Sequence, residues 1–113
     1  MSTFSAALIM TCIDGLITEC HATAKSNGFW EGKDHKTAGP EKIALMHSEL
    51  SEALEAMRAN NWGEEKGNVT EEFADVLIRI FDYVGEAELP LADILLQKMA
   101  INKTRQYKHN KEF

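Results

Sequence analysis

Four stretches of this chain place their apolar residues at steps of three and four, and none alternates them. That periodicity belongs to the α-helix, whose 3.6-residue turn brings such positions onto one face. The first stretch covers 5–26, with Leu8, Ile9, Cys12, Ile13, Leu16 and Ile17 on its stripe. A polar segment, SNGFWEGKDHKTAGP, separates it from the second, expected over 40–60 with Ile43, Met46, Leu50, Leu54 and Met57. Pro40 suits the first position of that helix, where its missing N–H costs nothing. Gly63, after NNW, suits a left-handed stop. The third, over 68–86, starts with Asn68 as N-cap and Glu71 in capping-box position. Its stripe is Phe73, Val76, Leu77, Ile80, Phe81 and Val84. Pro90 opens the fourth, over 90–106, through Leu91, Ile94, Leu95, Met99 and Ile101.

The expected fold class is therefore all-α, a single four-helix domain over residues 1–113. A pair of such helices cannot bury its stripes, so a bundle with a core completed by oligomerisation is expected. The net charge of −6 argues against a nucleic-acid partner, which calls for a basic face. Cys12 and Cys20 form no CxxC pair and no disulfide framework, so they read as reduced thiols in a cytoplasmic protein. The first twenty residues lack a positive n-region and are interrupted by Asp14 and Glu19, which reads as neither a leader nor a membrane span.

The chemistry concentrates in acidic residues. Glu49 and Glu52 lie three apart on the second helix, and Glu72 and Asp75 repeat that spacing on the third. Residues three apart share a helix side. If the two helices run antiparallel, Glu52 lies about 12 Å from the end of one and Asp75 about 10 Å from the start of the next, at similar height. Four carboxylates meeting there repel unless cations lie between them. An all-oxygen set suits Mg²⁺, with Mn²⁺ as the alternative, rather than zinc. The plain alternative is a solvated acidic face, helped by the helix dipole at Glu71 and Glu72. Against it stands a polar stripe, Glu72, Asp75, Arg79 and Asp82, at helical spacing beside the apolar one.

The C-terminal part has the opposite sign. Lys98, Asn102 and Arg105 share a helical face, and between Lys98 and Lys111 no acidic residue occurs. Such a face can hold phosphate oxygens, with Arg offering a bidentate fork; it also complements a helix C-terminus. Tyr107 and His109 follow it.

The two halves together resemble a known family. E-x-x-E, nineteen residues, then E-x-x-D, within ELSEALEAMR and EEFADVLIRIFDYV and followed by KMAINKTRQYKHNKEF, is similar to the MazG-like all-α nucleoside triphosphate pyrophosphohydrolases. The resemblance covers residues 43–113, and the helix leading to NGFW fits the shorter members. It implies a four-helix module assembling as a dimer or a dimer of dimers. It also implies Mg²⁺-dependent cleavage between the α and β phosphates of a (d)NTP, giving the monophosphate and pyrophosphate, in nucleotide-pool house-cleaning. Carried over by position, Glu49, Glu52, Glu72 and Asp75 are the expected metal ligands, with Glu49 or Glu52 orienting the attacking water. Lys98, Asn102, Arg105 and Tyr107 are the expected substrate contacts. Ser48 departs from the pattern, since many members have Glu there.

Phe29 and Trp30 fall in the first loop, where an aromatic ring can stack on a base. Trp30 is the expected pocket residue, against the alternative of packing on a neighbouring helix. Competing functions are a phosphoribosyl-ATP or all-α dUTPase-like pyrophosphohydrolase, and a non-catalytic helical oligomerisation or adaptor module. A di-iron bundle is disfavoured because the sequence contains no E-x-x-H.

Overall fold

A computed structural model describes residues 5–105. Four helices follow in order: α1 (Ala6–Ser26), α2 (His35–Arg58), α3 (Val69–Ala87) and α4 (Leu91–Thr104). No strand occurs among the described residues. Each of the first three helices starts on a side-chain cap. Ser5 Oγ accepts from the Leu8 N–H at 3.1 Å. Asp34 Oδ1 accepts from the N–H groups of Lys36 and Thr37. Asn68 Oδ1 accepts from the Glu71 N–H at 3.0 Å. Glu71 returns the favour one residue early, accepting from the Gly67 N–H at 2.6 Å rather than from its cap residue. These bonds satisfy N–H groups that a helix start leaves without partners.

Both ends of α2 differ from the sequence expectation, and α4 stops at Thr104 rather than at 106. α2 begins at His35, so Pro40 lies inside it rather than at its first position. Asp34 is the reason, because its doubly bonded carboxylate starts the helix earlier. Pro40 then withholds only the N–H that would reach the carbonyl of Lys36, an exposed residue that solvent can serve. α2 also ends before Gly63. Asn60 takes the left-handed conformation, φ 58°, and the Asn61 N–H closes on the Ala56 carbonyl at 2.8 Å. Asn tolerates that conformation better than other residues with a Cβ.

α2 and α3 form an antiparallel hairpin. Glu49 meets Asp75 and Glu52 meets Glu72, pairs whose numbers run in opposite directions along the two helices. α1 packs on α3, and α4 packs on α1. α1 and α3 approach tightly at Gly85, where an added Cβ would stand 2.6 Å from the His21 Cβ. A second tight point joins α2 to α3. The Tyr83 hydroxyl donates to the His35 carbonyl at 2.8 Å, and a Cβ on Gly39 would meet that hydroxyl oxygen at 3.1 Å.

Among the described residues the interior is built mainly from small side chains, including Ala53, Ala56, Val69, Val76 and Val84, with Trp30 as the one large buried apolar residue. The leucine stripe of α2, expected to pack the bundle, stays half exposed: Leu50 at 46% and Leu54 at 49%. Phe73, Leu77, Ile94 and Met99 are also exposed. Among the described residues no helix is long and apolar enough to cross a membrane.

The two extreme glycine environments give opposite expectations. Gly85→Ala forces α1 and α3 apart and should cost roughly 1–3 kcal/mol. Gly15→Ala meets nothing within 4 Å and should add about 0.5–1 kcal/mol through helix propensity. Urea unfolding of both variants checks this, and equal midpoints would refute the close packing at Gly85.

Candidate functional site

The hairpin carries its acidic residues on the inside. Glu49 and Glu72 are only 8% and 7% exposed, far more buried than Leu50. Asp75 is half-buried and Glu52 exposed. Carboxylate oxygens of Glu49, Glu72 and Asp75 lie within 4.8 Å of one another, so the three can hold a metal ion. Glu52 completes the group by contacting Glu72. All four residues expected from the sequence thus converge at the α2–α3 contact, three of them as a compact set and Glu52 at its rim.

Electrostatics there follow from like charges held together. The Glu72 carboxyl is pushed up to about 7, chiefly by its hydrogen bond to Glu52, then by burial and by the charges of Glu52, Asp75 and Glu49. Burial raises Glu49 above the ordinary glutamate range, helped by a hydrogen bond to Asp75 and opposed by the Arg79 guanidinium. Arg79 Nε stands 3.6 Å from Glu49 Oε1. The donor set is entirely oxygen, crowded and short of positive charge, which fits a hard divalent cation better than zinc.

Three of the four acids, Glu49, Glu52 and Asp75, line a cleft of about 490 Å³. Arg79, Phe29, Lys33 and Lys42 line it as well, together with Leu45, Ile78 and two further acids, Glu41 and Asp82. The polar stripe of α3 therefore faces inward. Its last member, Asp82, is buried and holds two partners on one oxygen. Trp30 Nε1 donates to Asp82 Oδ1 at 2.9 Å, and His21 Nδ1 lies 3.0 Å from the same atom. His21 Nε2 lies 3.1 Å from Glu86 Oε1.

Several expected ligand contacts sit elsewhere. Trp30 is 6% exposed, bonded to Asp82, and does not line the cleft, whereas Phe29 does and is 60% exposed. The buried indole N–H needs an acceptor, and the buried Asp82 supplies it. Lys98 and Asn102 lie on α4, which packs on α1, while Arg105 is its extended C-cap and so falls off the helical face expected of the three; none of them lines the cleft. Tyr107 lies outside the described residues. The cleft's lysines, Lys33 and Lys42, were not singled out by the sequence. A signal existed for one of them, because Lys42, Leu45, Glu49 and Glu52 follow one another at steps of three, four and three.

Comparison with protein-family models, with curated proteins and with solved structures returns no match.

The raised carboxyls set a pH signature for the metal-free protein. Folding favours their protonated forms, so their contribution is most favourable below the ordinary value of 4.5. It declines as pH rises toward about 7 and levels off beyond. The thermal midpoint of the metal-free protein should fall across that window, and a flat profile there would refute the carboxyl contact. Added Mg²⁺ should raise the midpoint strongly at pH 8 and little at pH 5, where protons compete for the same oxygens.

Proposed function

We propose that this chain is a Mg²⁺-dependent nucleoside triphosphate pyrophosphohydrolase, cleaving (d)NTPs between the α and β phosphates. The observation that carries this reading is the burial of Glu49 and Glu72 among carboxyls, Glu49 against Asp75 and Glu72 against Glu52, at a cleft that Lys33 and Lys42 also line. A structural role gives no reason for that arrangement, because buried like charges destabilise a fold. Hydrolysis of a metal-bound polyphosphate does. The resemblance of the two carboxylate motifs to the MazG-like family supplies the reaction.

In this reading Glu49, Glu72 and Asp75 hold the cation, with Mn²⁺ as an alternative to Mg²⁺. When bound, it supplies charge neutralisation of phosphate oxygens and acidity to water. Glu52 stands at the solvent-facing rim, where its carboxylate can accept a proton from water as a general base. Arg79 fixes one oxygen of Glu49 and limits the repulsion around it. Phe29 offers an exposed ring to a base.

The same reading makes the protein a homo-oligomer, a dimer or a dimer of dimers. Support comes from the exposed leucines of α2 and the exposed Phe73 and Leu77 of α3. It also gives Lys98, Asn102 and Arg105 a place, brought to the cleft by α4 of a second copy. The non-catalytic oligomerisation module shares the apolar faces but leaves the buried acids unexplained.

Asp75→Ala and Glu52→Ala should each lower Mg²⁺-dependent pyrophosphate release from a panel of NTPs and dNTPs by at least about 100-fold, with helical circular dichroism unchanged. Wild-type turnover in either variant would overturn the site. Absence of turnover by the wild type on the whole panel would overturn the reaction. Light scattering should return at least twice the monomer mass, and Leu54→Asp, at a position half exposed in the single chain, should lower it.

A further inference from the structure

Three cations line the cleft, and two are already engaged. Arg79 faces Glu49 at 3.6 Å, and Lys33 Nζ donates to Glu41 Oε1 at 2.8 Å. Lys42 has no carboxylate within 4.0 Å among the described residues. Its Nζ lies 4.5 Å from the centroid of the Trp30 ring. A ring face attracts an ammonium but offers it no hydrogen-bond acceptor, so the three N–H groups remain available to a ligand.

That ring is held in place. Trp30 is buried, its Nε1 is bonded to Asp82, and Asp82 is bonded in turn by His21, which also meets Glu86. Tyr83 packs against the other side of the indole neighbourhood with ring centroids 6.3 Å apart. The surroundings of Lys42 are therefore set by a chain of bonds joining α1, the first loop and α3. Lys42 and Glu49 share a face of α2 and are separated along its axis by about 10 Å. A lysine and a carboxylate group at that spacing in one cleft bracket a ligand longer than one phosphate.

We infer that Lys42, seated on Trp30, forms an anion subsite of the cleft that holds the end of a linked-phosphate ligand distal to the carboxylates. Trp30 is its positioning residue, through the bond to Asp82, and does not itself touch the ligand. The inference deepens the proposed function and rests on it for the ligand's class. It differs from the contacts expected of Lys98, Asn102 and Arg105, since it is complete within one chain.

The test uses the full chain with inorganic tripolyphosphate as probe, titrated calorimetrically in Mg²⁺, beside Mg²⁺ alone by thermal shift. Lys42→Ala should weaken tripolyphosphate binding by about tenfold or more, as expected for loss of a charged hydrogen bond, and leave the Mg²⁺ shift unchanged. Lys42→Arg should stay within about threefold of wild type, since either cation can hold phosphate. Trp30→Phe should weaken the probe in the wild-type background but add nothing in the Lys42→Ala background. A purely structural Trp30 would weaken both backgrounds and overturn its positioning role. Wild-type affinity in Lys42→Ala, or no tripolyphosphate binding by the wild type, would overturn the subsite. Probe binding through Lys42 without turnover of any NTP would leave the subsite standing and remove the reaction. Turnover with an unchanged KM in Lys42→Ala would do the reverse.

Discussion

Glu49 and Glu72 are buried where α2 and α3 touch, and that contact governs the rest of the molecule. Two helices can pair through acids only if something offsets the repulsion. Here the offset is divided. Carboxyl hydrogen bonds and burial raise Glu49 and Glu72 above the ordinary glutamate range, which favours their neutral forms, and Arg79 supplies partial positive charge from one turn along α3. The remainder of the seam is small. Ala53, Ala56 and Val76 let the backbones approach closely enough for short acidic side chains to meet. Larger residues at those positions would separate the helices and dissolve the oxygen set.

Small residues in the seam have a consequence for the apolar ones. A chain whose interior is filled by alanine and valine must leave its leucines and phenylalanines elsewhere. They lie on the outer faces of α2, α3 and α4. The acidic seam and the apolar exterior are therefore two results of one choice about which face of α2 points inward. A single chain arranged in this way buries too little apolar surface to be comfortable alone. The proposed assembly answers that, and it requires no change in the seam.

Much of this was legible in the sequence, for reasons that can be named. The helices were, because apolar spacing and side-chain caps act within a few residues. The convergence of Glu49, Glu52, Glu72 and Asp75 was, because two equal spacings on adjacent antiparallel helices must meet at similar height. The inward face of α2 was not. Periodicity marks an apolar face without saying whether its partner is in the same chain, so the Leu50–Leu54 stripe was assigned to the bundle while Ala53 and Ala56 took that place. The start of α2 was missed because Pro40 is a strong local signal and Asp34 a stronger one once its two backbone bonds are formed. Trp30 was misplaced for a different reason. Its burial depends on Asp82, more than fifty residues away, and no local pattern announces that acceptor.

That long-range bond also explains why Phe29 and Trp30, neighbours in sequence, part company in space. The first loop leaves α1 through Gly28, whose φ of 86° reverses the chain tightly. One of two adjacent aromatic rings can then turn inward. The indole does so because it alone carries an N–H that a buried carboxylate can accept, and a buried Asp82 without donors would be costly. Phe29, with nothing to offer that acceptor, is left at the mouth of the cleft. The polar end of a single side chain thus decides which ring supports the fold and which one stays exposed.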